Sequence, residues 1–350
     1  MPSISGVNVS NVVKCDGVPI ANVINMNGVG FATVLTAQSI FRPGVTSGQN
    51  ITHRIIMPTT QEPTTDLRLI ESDSFTINFW VKAGWTGALA TEGGAIGFVC
   101  LGANATTPGR TDSAYNNVLR LFYNESNNRL YVGWLNYTSS TNTYAQAYWP
   151  LHVTPNTGLG STYWSGSNRG NTNANGFTMI TISVTGTTSS TAIMSRANIK
   201  GYWNSVDIGN TWVINGEQNG DPSLTKTDPR GMAIIGLTYG GGGTLDAAGG
   251  GFGGNGTGTY MDEVSIWDGV LSQAEITALW NSGNGGSISK TTKPTNLIAY
   301  WNFDSDSTGI DAGEPFAYPV WPDPATNSNL GKVKIEGSSI LESGSTNIIS

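Results

Sequence analysis

Charge is scarce in this sequence of 350 residues: Asp, Glu, Lys and Arg together supply 12% of it, against roughly 25% in ordinary globular chains. The surface is therefore expected to be polar but mostly uncharged, which is unusual for a cytosolic enzyme and suits particles and fibres exposed to the outside. Lys and Arg number 17 against 24 Asp and Glu, a net charge of -7, so the clustered cations that release counterions from a phosphate backbone are missing and nucleic acid is not an expected partner. Histidine is rarer still. His53 and His152 are the only two, and neither lies in a nucleophile motif, which removes most candidates for a His-dependent triad. Cys15 and Cys100 are the only cysteines; two thiols without metal-ligand spacing define neither a disulfide framework nor a zinc site, and they read as core thiols. No window approaches 18 consecutive apolar residues, and Met1 to Asn11 has no basic region followed by an apolar one. Neither membrane insertion nor secretion is expected.

What the chain does have is glycine, 46 residues of it, with aromatics at 9% and short β-branched runs between clusters of Asn, Ser and Thr. That aromatic content is too high for a disordered chain, and the length can bury a sizeable core as one large β domain with small additions or as two ordinary domains.

The first 35 residues repeat with a period of eleven: Gly6-Val7, Gly17-Val18 and Gly28-Val29 recur in phase, as do Val12, Val23 and Val34. Asp16-Gly17 and Asn27-Gly28 are dipeptides favoured in type I′ hairpin turns, where both central residues need positive φ. The expectation is a small three-stranded meander, too thin to be stable alone and so in need of a partner surface. Residues 1–36 are accordingly assigned to attachment or oligomerisation, carried by Val7, Val12, Val18, Val23, Val29 and Val34.

Beyond it, Ser74–Lys82 alternates apolar and polar residues, as a sheet buried on one face requires. Further strands are predicted at Ile96–Leu101, Val118–Tyr123, Arg129–Trp134, Phe177–Val184, Asn198–Trp203, Met232–Leu237 and Leu297–Phe303. One short helix is expected: Ser272 caps it, Glu275 completes a capping box, and Gly283 follows the last apolar position, Trp280. Ile276, Leu279 and Trp280 would face the sheet. After Asp304 comes a Pro-rich stretch, read as an arm over 307–350 with a strand pair at Lys332–Leu341. The fold class is all-β, a sandwich or barrel with one short helix.

The stretch from Tyr260 through Asp262-Glu263-Val264 and Trp267 to Leu271-Ser272-Gln273-Ala274-Glu275-Ile276 resembles the closing signature of laminin-G-like jelly rolls, in which such a strand runs into such a helix. Phe75–Lys82 matches that family's early strand, about two hundred residues upstream. Leu297–Asp304 resembles a strand that commonly opens these domains, although here it follows the helix. The resemblance implies a concanavalin A-like (laminin-G-like) jelly-roll sandwich over 37–306. The repeat at the N-terminus resembles segments that begin bacteriophage virion proteins. This implies a chain displayed on the virion and assembled in the host cytoplasm, with the major capsid or tail proteins as partners.

Chemistry is thinner. Gly251-Phe252-Gly253-Gly254-Asn255-Gly256 matches a dinucleotide-binding pattern only formally, since it lies in a Gly tract leading to a strand. No Glu-x-Asp-x-x-Glu strand of the concanavalin-like glycosidases occurs, and the adjacent Asp262 and Glu263 should point to opposite faces of a strand, so no catalytic residue is assigned. Asp304, Asp306 and Thr308 partly resemble a calcium loop, which then fails at Pro315; a solvated turn is the simpler reading and no cofactor is required. Tyr144, Tyr148, Trp149, Tyr163 and Trp164 lie among Asn, Ser, Thr and Gly, a mixture suited to stacking on sugar rings, although such aromatics also build cores and interfaces.

Three functions follow. The first is a non-enzymatic virion surface protein, a capsid decoration, fibre or tail appendage that forms stable homo-oligomers, trimers first among them. The second is a glycan-binding adhesin module recognising host polysaccharide. The third is a polysaccharide-degrading enzyme, which lacks a positioned acid and base.

Overall fold

Alternation along Phe75–Ala83 sets the architecture. Phe75, Ile77, Phe79 and Val81 are buried on one face of this strand, and the register continues the apolar row across neighbouring strands: Gly201, Ile182, Ile77, Ile266 and Ala299 lie side by side. Each fully buried side chain of this size removes apolar surface worth about 1.5–3 kcal/mol.

In this computed structural model the described residues are 3–4, 7–8, 14–15, 18–19, 25–26, 29–30, 38–42, 54–56, 74–83, 95–102, 117–124, 129–137, 142–150, 176–185, 199–209, 212–213, 231–234, 238–239, 245–246, 259–286, 288, 292–304, 308–311, 314–317, 320–321, 333–336 and 340–343. Among them, two antiparallel sheets form a jelly-roll sandwich. One sheet has ten strands, running in the order Trp212–Val213, Asn142–Pro150, Arg129–Tyr137, Asn117–Asn124, Ala95–Gly102, Gly231–Ile234, Arg54–Ile56, Val333–Glu336, Glu314–Ala317 and Thr308–Asp311. The other has eight: Val206–Asp207, Ile199–Trp203, Thr178–Val184, Phe75–Ala83, Thr259–Asp268, Gln38–Arg42 and Ile340–Ser343, with Leu297–Trp301 paired to Thr259–Asp268. Trp149, from the ten-stranded sheet, lies against Gly201 of the other. This contact fixes the inner faces.

The second face of Phe75–Ala83 is not solvated, as the sequence pattern had suggested. Thr76 and Asn78 are buried there, level with Ser183, Thr181 and Ser265. Their polar atoms are satisfied within the layer, as burial demands: Asn78 Nδ2 donates to Thr181 Oγ1 at 2.6 Å, and the Thr76 and Ser183 hydroxyls share a hydrogen bond at 3.0 Å. Around this polar strip sit Trp80, Met179, Tyr202, Trp267 and Tyr300, roofed by helix α1, Gln273–Trp280.

The helix begins where its capping box places it. The Ser272 hydroxyl accepts from Glu275 N–H, while Glu275 Oε2 accepts from Ser272 N–H at 2.7 Å. It ends at Asn281, whose left-handed backbone (φ 45) turns the chain into a short 3-10 segment. Ile276 is buried, Leu279 and Trp280 pack against the cluster, and Trp280 stacks on Trp80 with ring centroids 5.0 Å apart.

Residues 307–350, read from sequence as an arm, supply four strands to the two sheets. The expected pair at Lys332–Leu341 does form strands, but they do not pair with each other: Val333–Glu336 joins the ten-stranded sheet and Ile340–Ser343 the eight-stranded one.

Met1–Thr36 forms a compact unit by itself and Ala37–Ser350 a second. Among the described residues, the eleven-residue repeat forms three two-stranded hairpins where one meander was expected: Ser3–Ile4 with Val7–Asn8, Lys14–Cys15 with Val18–Pro19, and Asn25–Met26 with Val29–Gly30. Val7, Val18 and Val29 open the second strand of each hairpin; Val12, Val23 and Val34 lie outside the described residues.

Candidate functional site

The three described members of the expected sugar-binding set, Tyr144, Tyr148 and Trp149, lie on a strand rather than in a loop. Asn142–Pro150 is a strand, paired over its whole length with Arg129–Tyr137. Its adjacent residues Tyr148 and Trp149 therefore face opposite ways. Trp149 is fully buried between the sheets, and its indole N–H donates to the Gly209 carbonyl at 3.2 Å. It is a core residue and cannot stack on a sugar. Tyr148 lies on the outer face, half-buried, directly across from Tyr131. The two phenol rings are 5.5 Å apart and tilted by 43°. Tyr144 stands four residues before Tyr148 on the same strand, at the register position opposite Leu135. Tyr163 and Trp164 lie outside the described residues, so the structure brings together Tyr148 and Tyr131, the latter a residue that sequence reasoning treated only as part of a strand. The pairing was discoverable in principle, since both tyrosines sit in aromatic-rich runs close together in sequence.

A second set of functional groups gathers where the eight-stranded sheet forks. Thr259–Asp268 pairs with Gln38–Arg42 along its first part and with Leu297–Trp301 along its last, and a bulge separates the two. At the bulge Glu263 adopts φ 51, which suspends the strict alternation assumed for Asp262 and Glu263. Neither carboxylate is simply solvated. Asp262 is buried and its Oδ1 accepts from Glu263 N–H at 2.9 Å, while Glu263 Oε2 accepts from the Tyr300 hydroxyl. Burial, reinforced by Glu263 and then by Asp262 and Asp304, holds the Tyr300 phenol well above its ordinary range.

Asp304 lies just beyond this fork. Its Oδ1 accepts from Gln38 N–H at 3.3 Å and its Oδ2 from Asn302 Nδ2 at 2.6 Å, so this carboxylate ties the end of one strand to the start of another. Asp306 is outside the described residues, and Thr308 is placed only as the first residue of a strand. Among the described residues no group of three His, Cys, Asp or Glu converges as a metal site would require. Among the described residues, the carbonyl oxygen of the Gln38 side chain is buried there without a hydrogen-bond partner.

Beside the fork, at the register position of Tyr260, Lys82 spreads its amine over two rings, 5.6 Å from the centroid of Tyr260 and 5.9 Å from that of Phe177. Desolvation lowers its pKa. Its aliphatic stem packs under Gly176, whose φ of 84 suits glycine.

No protein-family model and no curated protein matches the chain. Among solved structures it is similar to a putative carbohydrate binding protein from Bacteroides ovatus, at 10% identity over 90% of this chain and 61% of that one, with a TM-score of 0.41. It is also similar to a heptameric SAP-like pentraxin from Limulus polyphemus, at 12% identity over 89% of this chain and 97% of that one, TM-score 0.42. A third similar structure is the botulinum neurotoxin type G receptor binding domain, at 11% identity over 70% of this chain and 54% of that one, TM-score 0.33. The chain thus spans about three fifths of the Bacteroides protein and about half of the toxin domain.

Proposed function

We propose that this chain is a non-enzymatic recognition module that holds polysaccharide on the outer face of its ten-stranded sheet. The observation that carries the reading is Tyr148, half-buried on the face opposite the core residue Trp149, with the buried ring of Tyr131 5.5 Å away as its backing. A phenol offers an apolar ring for the C–H face of a sugar and a hydroxyl for its polar edge. The scarcity of charge supports the same reading, since neutral sugars are recognised by stacking and amide or hydroxyl hydrogen bonds. The ligand class is the surface polysaccharide of a host cell. A glycan array probed with the full chain tests this, followed by titration of any sugar bound. Tyr148→Ala should weaken binding at least tenfold while leaving the unfolding transition in place. A silent array, or unchanged affinity in both Tyr148→Ala and Trp164→Ala, would overturn the reading. Reducing ends released from the polysaccharide would instead establish an enzyme.

The second reading, that the module is displayed on a bacteriophage particle as a capsid decoration, fibre or tail appendage, rests on the N-terminal repeat. A thin set of two-residue hairpins requires a supporting surface, and a particle protein such as the major capsid or a tail protein would provide one. Co-sedimentation of the chain with virions supports it, and consistent absence from purified virions contradicts it.

A further inference from the structure

The N-terminal unit combines three features that point to one occupant. Its hairpins recur at a spacing of eleven residues, with Ile4, Cys15 and Met26 at one register position and Val7, Val18 and Val29 opposite them. Each strand is two residues long, and each hairpin is a two-stranded sheet of its own among the described residues, so the outward edge of every strand offers backbone groups for further pairing. Charge is nearly absent: Lys14 and Asp16 are the only charged residues in the first 35, and they cancel. Soluble proteins guard such edges with charged side chains, lysine above all, because an unguarded edge recruits another strand. Here the guard is missing on two of the three hairpins.

We propose that residues 1–35 are a self-association ladder whose occupant is the same segment of further copies of this chain, each hairpin pairing with its counterpart in register. A different protein would need docking strands of its own at an eleven-residue spacing, whereas another copy supplies that spacing automatically. With zero net charge over the segment, copies meet without repulsion. Three equal contacts per chain also explain the repetition: stability of a repeat array is close to a sum over units, and contacts made on one tether reinforce each other through effective concentration. This inference goes beyond the glycan reading and is tested without any sugar.

The test is sedimentation velocity on the full chain carrying Cys100→Ser, beside Val18→Lys alone and the triple variant Val7→Lys, Val18→Lys, Val29→Lys. The expected result is an oligomer that is weakened by the single substitution and reduced to monomer by the triple one. The thermal unfolding of the jelly roll should be unchanged, which separates lost association from lost folding. Because Cys15 occupies the middle hairpin, a short thiol-to-thiol crosslinker should join two chains through it, and Cys15→Ser should abolish the product. A monomeric parent protein, an oligomer that survives the triple substitution, or failure of Cys15 to crosslink would each overturn the proposal. Retention on virions by a protein that is monomeric alone would overturn it in favour of a particle protein as the occupant.

Discussion

Trp149 occupies the space that a side chain at position 201 would need: a Cβ built on Gly201 would lie 2.7 Å from Trp149 Cε2, 2.8 Å from Cζ2 and 3.0 Å from Ile208 Cδ1. The indole is clamped between the sheets by this contact and by its hydrogen bond to the Gly209 carbonyl. Gly201 is thus needed for closeness of approach between a ring and a backbone.

Gly201→Ala should therefore overpack the core, at a cost of about 1–3 kcal/mol. Trp149→Ala creates the opposite defect, a cavity worth about 3–5 kcal/mol. The diagnostic is the double variant Gly201→Ala, Trp149→Phe, which should recover part of the loss, because the smaller ring yields room to the new methyl group. Urea midpoints at constant slope measure all three. With Trp149→Phe alone measured to close the cycle, strict additivity of the Gly201→Ala and Trp149→Phe losses in the double variant would show that the contact does not govern packing here.

A hydroxyl under the helix links the sheet to the loop that precedes α1. Thr76 Oγ1 donates to the Gly269 carbonyl at 3.0 Å, shares a hydrogen bond with Ser183, and accepts from Leu271 N–H at 3.1 Å. Thr76→Val keeps the shape and leaves those groups unsatisfied in a buried layer, which should cost about 1–3 kcal/mol. Hydrogen exchange should show earlier opening at Leu271 and Ile276 than elsewhere in the sandwich. Thr76→Ser retains the hydroxyl and should lose less.

That polar layer shows how far the sequence could be read. The alternation over Phe75–Lys82 located the strand, and its apolar half is the core between the sheets. Its polar half gave no sign of burial, because Thr76 and Asn78 look like solvent-facing residues until Thr181, Ser183 and Ser265 are brought level with them from distant parts of the chain. Cross-strand satisfaction of this kind depends on register, which no local window contains. The start of the helix was legible to the residue because a capping box is a local device, complete within Ser272–Glu275, whereas its end is closed by Asn281 and not by Gly283. Trp149 misled for the converse reason: its surroundings in sequence suit sugar stacking, while nine residues of pairing with Arg129–Tyr137 make it part of a strand and put it inside. At the fork, the Asp262–Glu263 bulge broke the period-two rule on which the opposite-face expectation rested.

Ser272→Ala removes the acceptor for Glu275 N–H and releases the reciprocal bond of the capping box. The loss should be about 1 kcal/mol. It should appear chiefly as increased exchange at the start of α1, and Ser272→Asp should restore most of it, since a carboxylate accepts the same bond and favours the helix N-terminus. An unchanged unfolding midpoint in Ser272→Ala would mean that the roof formed by Ile276 and Trp280 holds the helix without its cap.

Tyr300 connects the fork to the pH dependence of stability. Its hydroxyl donates to Glu263, and burial with neighbouring carboxylates raises its pKa well above the ordinary value of 10.0. A group whose folded pKa is raised contributes stability that is complete below the unfolded pKa and is lost as pH climbs through the folded one, because the unfolded chain gives up its proton first. At neutral pH the wild type should exceed Tyr300→Phe by about 1.5–3 kcal/mol, the range for a hydrogen bond to a charged group. Above pH 10 the gap should narrow steadily, since only the wild type carries this ionisation. Comparing the two proteins cancels the contributions of Tyr202, which burial and Asp207 also raise, and of Lys82. Chemical denaturation from neutral pH into the alkaline range measures the gap directly. A difference that stays constant across pH 10 would show that the phenol at position 300 titrates as it does in the unfolded chain.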